Sequence, residues 1–189
     1  MILKTKKKIA IFTTHPIQYQ VPLFKKLKNK NIIPHVYFAS KHGYKSENQD
    51  SDFKKKFNWN IDLLGGYKSF FSKNQKKKIN SWFLNFDNLN NCLKKNKYDA
   101  ILIFGWSNIF YLKAFYLAYI YKLPIILRVE TNNKAKTSFI KRIIKNKILH
   151  LLFNYINYFL YIGKLNKDFY INLKVESKKL FKAPYFVDN

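Results

Sequence analysis

Short apolar runs, most of them followed by a segment with helical spacing, constrain the fold of this chain more than any other feature of its sequence. Four of them, at 8–13 (KIAIFT), 32–39 (IIPHVYFA), 98–104 (YDAILIF) and 124–129 (PIILRV), have the length of strands and are too short for buried helices. Strands that are apolar along their whole length are buried on both faces, which is typical of parallel sheets covered by helices. The sequence therefore predicts an α/β fold with a doubly wound, mostly parallel, Rossmann-like sheet in a single domain.

The segments around these runs complete the alternation of strands and helices. A helix is predicted to begin near Pro16, which suits a first helical turn, and another, over 107–121, to be capped by Ser107 or Asn108. The remaining predicted helices cover 79–95, 138–153 and 165–172, and further strands cover 57–63, 158–163 and 179–182. Residues 40–56 are polar and are expected to form a mobile loop, whereas 67–78 are expected to be irregular.

Composition narrows the classes of function. The 189 residues include 36 Lys and Arg against 10 Asp and Glu, a formal net charge of +26 at pH 7, and only two of the basic residues are Arg. Arg is the side chain that usually contacts bases and phosphates with two hydrogen bonds, so its scarcity disfavours specific nucleic-acid binding. The lysines indicate either a solvated basic surface or a peripheral role at an anionic membrane face.

Several kinds of site are disfavoured by motifs that the sequence lacks. It holds no G-x-x-x-x-G-K-[ST], no G-x-G-x-x-G after the first strand and no G-x-S-x-G, which argues against a P-loop enzyme, a dinucleotide enzyme and an α/β-hydrolase. The single cysteine, Cys92, and four scattered histidines give no metal-ligand spacing. No segment has a signal-peptide pattern or about 18 uninterrupted apolar residues, which favours a cytoplasmic protein, free or peripheral at the inner face of the plasma membrane.

The first predicted strand ends at a group of candidate site residues. Ligands in open α/β sheets bind at the carboxyl ends of the strands, and Thr14, His15, Gln18 and Tyr19 follow this strand. A histidine at a strand end and a helix N-terminus can bind an anion or relay a proton. The alternative is a ring whose nitrogens are satisfied by the local backbone.

The strand at 98–104 ends in Gly105, Trp106 and Ser107. Glycine permits a close approach of the backbone, and the indole could stack on a sugar ring. The same residues also suit a tight turn with a tryptophan in the core.

The strand at 124–129 carries Arg128 and is followed by Glu130 and Asn132. Side chains two residues apart on a strand point to the same face. Arg128 and Glu130 could therefore form a structural ion pair, or they could hold hydroxyl and phosphate groups of a ligand.

Taken in order, these pieces resemble the N-terminal domain of GT-B-fold glycosyltransferases of the group 1, or family 4, type. Each piece is weak alone, but their order and spacing cover nearly the whole chain. The matching segments are THPIQYQVPLF (14–24), FNWNIDLLGGY (57–67), YDAILIFGWSN (98–108), LPIILRVETN (123–132), YIGKLNKDFY (161–170) and APYFVDN (183–189).

The resemblance implies an architecture and a reaction. Enzymes of this type have two Rossmann-like domains with the active site in the cleft between them. The N-terminal domain mainly holds the acceptor, and the C-terminal domain binds the nucleotide-sugar donor. They retain anomeric configuration and typically need no metal or other cofactor. Several act at the inner membrane surface on lipid-linked or polysaccharide acceptors.

For this chain, the resemblance implies the acceptor-binding half of a retaining glycosyltransferase. Its partners would be a donor-binding domain supplied in cis or in trans, a glycan or lipid-linked acceptor and an anionic membrane surface. His15, Trp106, Arg128 and Glu130 are carried over as cleft-lining residues, with His15 and Glu130 as the catalytic candidates. The remaining substrate-binding candidates are Thr14, Gln18, Tyr19, Gly105, Ser107 and Asn132.

Two departures from the family pattern leave other interpretations open. The chain stops at 184–189, about where chains of the family cross to the donor domain. The paired-glutamate motif of that domain is therefore absent. Val129 also stands where many relatives have a glycine between the arginine and the glutamate. The alternatives are a non-catalytic truncated fragment and a basic module that binds membrane surfaces.

Overall fold

The chain alternates strands and helices as the apolar runs predict. A computed structural model describes residues 5–42, 62–73, 81–132 and 138–185. The strands are β1 (Lys7–Thr13), β2 (Ile32–Phe38), β3 (Lys68–Phe71), β4 (Ala100–Ile103), β5 (Ile125–Arg128), β6 (Tyr158–Tyr161) and β7 (Leu180–Lys182). The helices are α1 (Val21–Lys28), α2 (Leu89–Asn96), α3 (Ile109–Ile120), α4 (Phe139–Phe153) and α5 (Lys164–Asn172), with a 3₁₀ turn at Ser177–Lys179.

The strands form one parallel sheet in the order β3-β2-β1-β4-β5-β6-β7. Connections from β1 run towards one edge of the sheet and connections from β4 run towards the other. β1 and β4 therefore flank a topological switch point, where open α/β sheets leave a crevice at their carboxyl edge. This arrangement confirms the predicted Rossmann-like, doubly wound fold.

Two apolar layers cover the sheet. One contains Phe12 of β1, Phe110 of α3 and Leu149 of α4, and the other contains Ile11 of β1 and Phe24 of α1. Neighbouring residues of β1 thus enter different layers, because successive side chains of a strand point to opposite faces. Among the described residues, no helix is both long enough and apolar enough to cross a membrane.

The first helix begins later than predicted. It starts at Val21, with a proline in its first turn at position 22 and not at position 16. Residues 14–20 instead fold over the end of β1, where the buried Gln20 side chain accepts a hydrogen bond from Thr13 Oγ1 at 3.0 Å.

The predicted helix over 79–95 is wrong in its first half, since α2 begins only at Leu89. The backbone before it runs along the start of α3 and accepts hydrogen bonds from that helix: Ile109 N–H to Trp82 O at 3.0 Å and Phe110 N–H to Leu84 O at 2.9 Å. The first N–H groups of a helix have no partner within the helix, and this segment satisfies two of them from a non-helical conformation of turns and loop.

The third strand also differs from the prediction. β3, at Lys68–Phe71, lies in the stretch that was expected to be irregular, and it pairs with β2 in parallel register. Of the strand predicted over 57–63, residues 62 and 63 are not in a strand and 57–61 lie outside the described residues. The loop predicted over 40–56 also lies outside them, except for 40–42.

Candidate functional site

A cavity of about 590 Å³ lies at the carboxyl edge of the sheet, between the ends of β1 and β4. Its walls come from the segments that follow β1, β4 and β5 and from the first turn of α3. Seven of the residues singled out in the sequence line it: Thr14, His15, Tyr19, Gly105, Trp106, Ser107 and Glu130. Most of the candidate residues predicted from the sequence therefore lie around one cavity at the switch point.

His15 lies at the β1 side of the cavity and is partly buried. Its Nδ1 is 2.9 Å from Thr14 Oγ1, and its ring is 5.7 Å from the ring of His42. Burial, with a smaller contribution from His42, lowers the pKa of His15 from 6.5 to about 4. The imidazole is therefore neutral at pH 7 and can both donate and accept a hydrogen bond.

Glu130 lines the cavity with an exposed carboxylate, which two tyrosines hold. The Tyr19 hydroxyl donates a hydrogen bond to Glu130 Oε1 at 3.3 Å, and the Tyr185 hydroxyl also bonds this carboxylate. The two tyrosine rings meet edge to face, with centroids 4.8 Å apart. Burial and the Glu130 charge raise the pKa of Tyr19 to about 12, so its hydroxyl remains a donor.

Trp106 is partly buried and forms the aromatic wall of the cavity. Its Nε1 donates to Thr131 Oγ1 at 3.5 Å, and the backbone of Thr131 is fixed in turn by Asn166, whose Nδ2 donates to Thr131 O at 2.8 Å. The indole thus packs on the core, as the tight-turn alternative predicts, and it also lines the cavity. Its stacking on a sugar ring stays a prediction.

Tyr111 forms the floor of the cavity and was not among the predicted site residues. Its ring is buried, and its hydroxyl bonds the side chains of Thr13 and Thr14. Its backbone N–H donates to the side chain of Asn108 at 3.1 Å, which makes Asn108 the N-cap of α3. The cap spacing is the sequence signal that points to Tyr111, because an N-cap side chain accepts from the residue two or three positions later.

Arg128 is buried and does not line the cavity. The guanidinium is buried, donates to Ala183 O at 3.3 Å and Pro184 O at 3.5 Å, and packs on the rings of Phe104 and Tyr185. No ion pair between Arg128 and Glu130 occurs in the described part of the chain. Arg128 thus anchors the segment after β7, which carries Tyr185 to the cavity carboxylate.

Gln18 and Asn132, like Arg128, do not line the cavity. The lining residues that the sequence reasoning missed are Thr13, Ile17, Gln20, Phe104, Asn108, Tyr111, Val129 and Thr131. Most of them directly flank a predicted residue in the chain. Within the described residues, no three His, Cys, Asp or Glu side chains are grouped as metal ligands.

Two histidines that are shielded from water, His15 and His35, predict acid sensitivity. Burial lowers the pKa of His35 to about 4, as it does for His15, and Lys8 and Lys68 add to the effect. Both rings are neutral in the folded chain at pH values where the unfolded chain already binds protons. We therefore expect the free energy of unfolding to fall as the pH drops from 6.5 to 4, by at most about 1.4 kcal/mol per pH unit for each ring.

Urea unfolding across this range tests the effect. A His35→Gln variant keeps a hydrogen-bonding side chain beside Tyr98, whose hydroxyl is 2.8 Å from His35 Nδ1. Its stability should fall less steeply with acid than that of the original chain. Parallel curves for the two proteins would contradict the assignment.

Comparisons with known proteins show what this fold is similar to. No family model matches the chain, and no curated protein matches it. Among solved structures, UDP-N-acetylglucosamine 2-epimerase from Rickettsia bellii is similar over 96% of this chain and 45% of its own, with a TM-score of 0.57 and 18% identity.

HepE from Anabaena is also similar. Its structure in complex with UDP matches over 96% of this chain and 44% of its own, with a TM-score of 0.53 and 11% identity. Its structure in complex with UDP and glucose matches over 97% of this chain and 45% of its own, with a TM-score of 0.54 and 11% identity. The chain thus spans a little under half the length of these proteins. At these identities the likeness shows the fold alone, a Rossmann-like α/β sheet covered by helices.

Proposed function

We propose that this chain is the acceptor-binding half of a retaining glycosyltransferase that uses a nucleotide-sugar donor. The observation that carries the proposal is the cavity at the switch point. It combines a carboxylate, a tyrosine hydroxyl, a neutral imidazole and an indole, which together offer hydrogen bonds and an apolar face to a sugar. The similar solved structures include one that holds UDP and glucose, which gives the proposal independent support.

The proposed acceptor is a glycan or a lipid-linked sugar. Glu130 would accept hydrogen bonds from its hydroxyls, because an ionised carboxylate is an acceptor only and forms the stronger, charge-assisted bonds. Tyr19 holds that carboxylate in place. Fixing the acceptor hydroxyl in a reactive position supplies orientation, which can contribute several kcal/mol to catalysis.

The proposed transfer needs a donor-binding half, supplied in cis or in trans. The bond between the donor sugar C1 and the diphosphate oxygen breaks, and the leaving group takes the electron pair. The acceptor hydroxyl oxygen bonds to C1 and its proton passes to the departing phosphate. Positive groups near that phosphate would stabilise the developing charge. A neutral His15 does not supply such a charge, so we assign it a hydrogen bond to the transferred sugar.

A second candidate is half of a nucleotide-sugar epimerase, favoured by the similarity to the Rickettsia bellii enzyme. Such a protein acts on the nucleotide-sugar itself and has no separate sugar acceptor. The two candidates therefore differ in whether a saccharide without a nucleotide binds in the cavity.

The role of Glu130 is tested by binding of glycosides to the 189-residue chain. With a panel of hexose and N-acetylhexosamine glycosides, titrated by calorimetry, Glu130→Gln should weaken the affinity at least about tenfold, because a charged hydrogen-bond acceptor is lost. Glu176→Gln is the matched control, since Glu176 is an exposed carboxylate paired with Lys178 and outside the cavity. Equal affinities for the two variants would refute the role of Glu130.

A further inference from the structure

We propose that the solvent-facing side of α4, with the adjoining exposed side of α3, docks this protein on an anionic lipid surface. The proposal rests on the outer surfaces of these two helices and not on the cavity, so it stands or falls separately from the proposed function.

An apolar stripe runs along the exposed side of α4. Ile140, Ile144, Ile148 and Leu151 follow one another at spacings of four, four and three residues, which places them on one face of the helix. Each of the four is between 53% and 67% exposed. The helix contacts the core from a different side, through the fully buried Leu149. We call these four residues the α4 stripe.

Lysines border the α4 stripe on both sides. Lys147 lies seven residues after Ile140, and Lys141 lies seven residues before Ile148. Seven residues fall about 20° short of two full helical turns. Each lysine is therefore displaced by about 20° from its stripe residue, and the two displacements have opposite directions. Both lysines are exposed. This is the pattern of helices that lie in a membrane interface, with apolar side chains inserted and lysines extended towards the head groups.

The exposed side of α3 extends this surface. Tyr116, Tyr119 and Ile120 are each more than half exposed, and the Tyr119 ring contacts the ring of Tyr155, just beyond the end of α4, at a centroid distance of 5.5 Å. The exposed apolar surfaces of the two helices therefore meet. Tyrosine is enriched at membrane–water interfaces, because its ring is apolar and its hydroxyl remains hydrated.

The charge around this surface indicates which kind of partner it binds. Between residues 100 and 167 the sequence contains one acidic residue, Glu130, against eleven Lys and Arg. A second copy of this chain would bring an equal charge of +26 against the same surface, which opposes self-association. A nucleic acid would satisfy the lysines but would leave the apolar stripe in water. An anionic bilayer accommodates both features.

Sedimentation with lipid vesicles tests the proposal. The 189-residue chain should bind vesicles of phosphatidylcholine mixed with an equal part of phosphatidylglycerol, and bind them far better than phosphatidylcholine alone. Lys141→Gln/Lys147→Gln should weaken binding about twenty-fivefold, from about fivefold per lysine. Ile144→Ser/Leu151→Ser should weaken it at least about tenfold, because inserted apolar area is lost.

Lys28→Gln/Lys30→Gln is the matched control. It removes the same charge from two exposed lysines at the end of α1, a helix that covers the other face of the sheet. Its binding should stay within about twofold of the original chain, and urea unfolding should show that all variants fold.

Several outcomes would overturn the proposal. One is binding that the stripe variant does not weaken, or that the control weakens as much as Lys141→Gln/Lys147→Gln does. Binding that does not depend on the anionic lipid would also refute it. The absence of vesicle binding would refute the proposal as well. In that case sedimentation equilibrium would show whether the α4 stripe instead mediates self-association.

Discussion

Replacing Gly105 by alanine is expected to lower the free energy of unfolding by about 2 kcal/mol, a large effect for one methyl group. A Cβ at this position would overlap the Tyr111 ring, because it would lie 2.7 Å from Tyr111 Cζ and 2.8 Å from Tyr111 Cδ2. The ring has no simple way to move aside, because it is buried, its backbone is capped by Asn108 and its hydroxyl bonds Thr14. The strain should also deform the cavity floor.

Gly163→Ala is the control for this prediction. A Cβ there has no neighbour within 4 Å, and the φ of −167° is extended backbone that any residue adopts. Its free energy of unfolding should fall by less than about 1 kcal/mol, because alanine restricts the unfolded state but is less favourable than glycine at Gly163, the N-cap of α5. Equal urea midpoints for Gly105→Ala and Gly163→Ala would contradict the packing described for the cavity floor.

Replacing His15 by alanine is expected to reduce turnover more than tenfold when the chain is joined to a donor-binding half. His15 lines the cavity and is neutral at pH 7, so alanine removes a hydrogen-bonding group that we place against the transferred sugar. Steady-state transfer to a saturating acceptor measures the effect. The urea midpoint at pH 7 must be retained for the comparison to be valid.

His150→Ala is the control for histidine loss. His150 Nδ1 lies 3.1 Å from Leu173 O, between α4 and α5, and the residue is outside the cavity. Turnover of this variant should stay within about twofold of the original. If His15→Ala transfers sugar as fast as His150→Ala does, His15 has no role in the reaction.

The parts of the fold that could be predicted are those with a strong local pattern. The apolar runs at 8–13, 32–39, 98–104 and 124–129 became β1, β2, β4 and β5 because full apolarity is required of strands buried on both faces. Their order in the sheet then set the switch point. Placing the candidate residues at the strand ends followed from that topology and not from any single motif.

The features that could not be predicted depend on tertiary contacts. Residues 81–88 show helical spacing, yet their carbonyls satisfy the first N–H groups of α3, a requirement that local periodicity does not reveal. β3 is short and only partly buried, so its pattern is weak. The family resemblance implies that Arg128 lines the cleft, whereas its buried guanidinium donates to the backbone of Ala183 and Pro184.

Binding of a sugar acceptor to this half can be detected by saturation-transfer NMR on the 189-residue chain. Glycosides and UDP are added separately, and saturation transferred from protein to ligand protons reports binding. We expect transfer to at least one glycoside, lost in the Glu130→Gln variant, and none to UDP, whose site we assign to a donor-binding half. Transfer to UDP with none to any glycoside would contradict this expectation and favour a chain that holds the nucleotide itself.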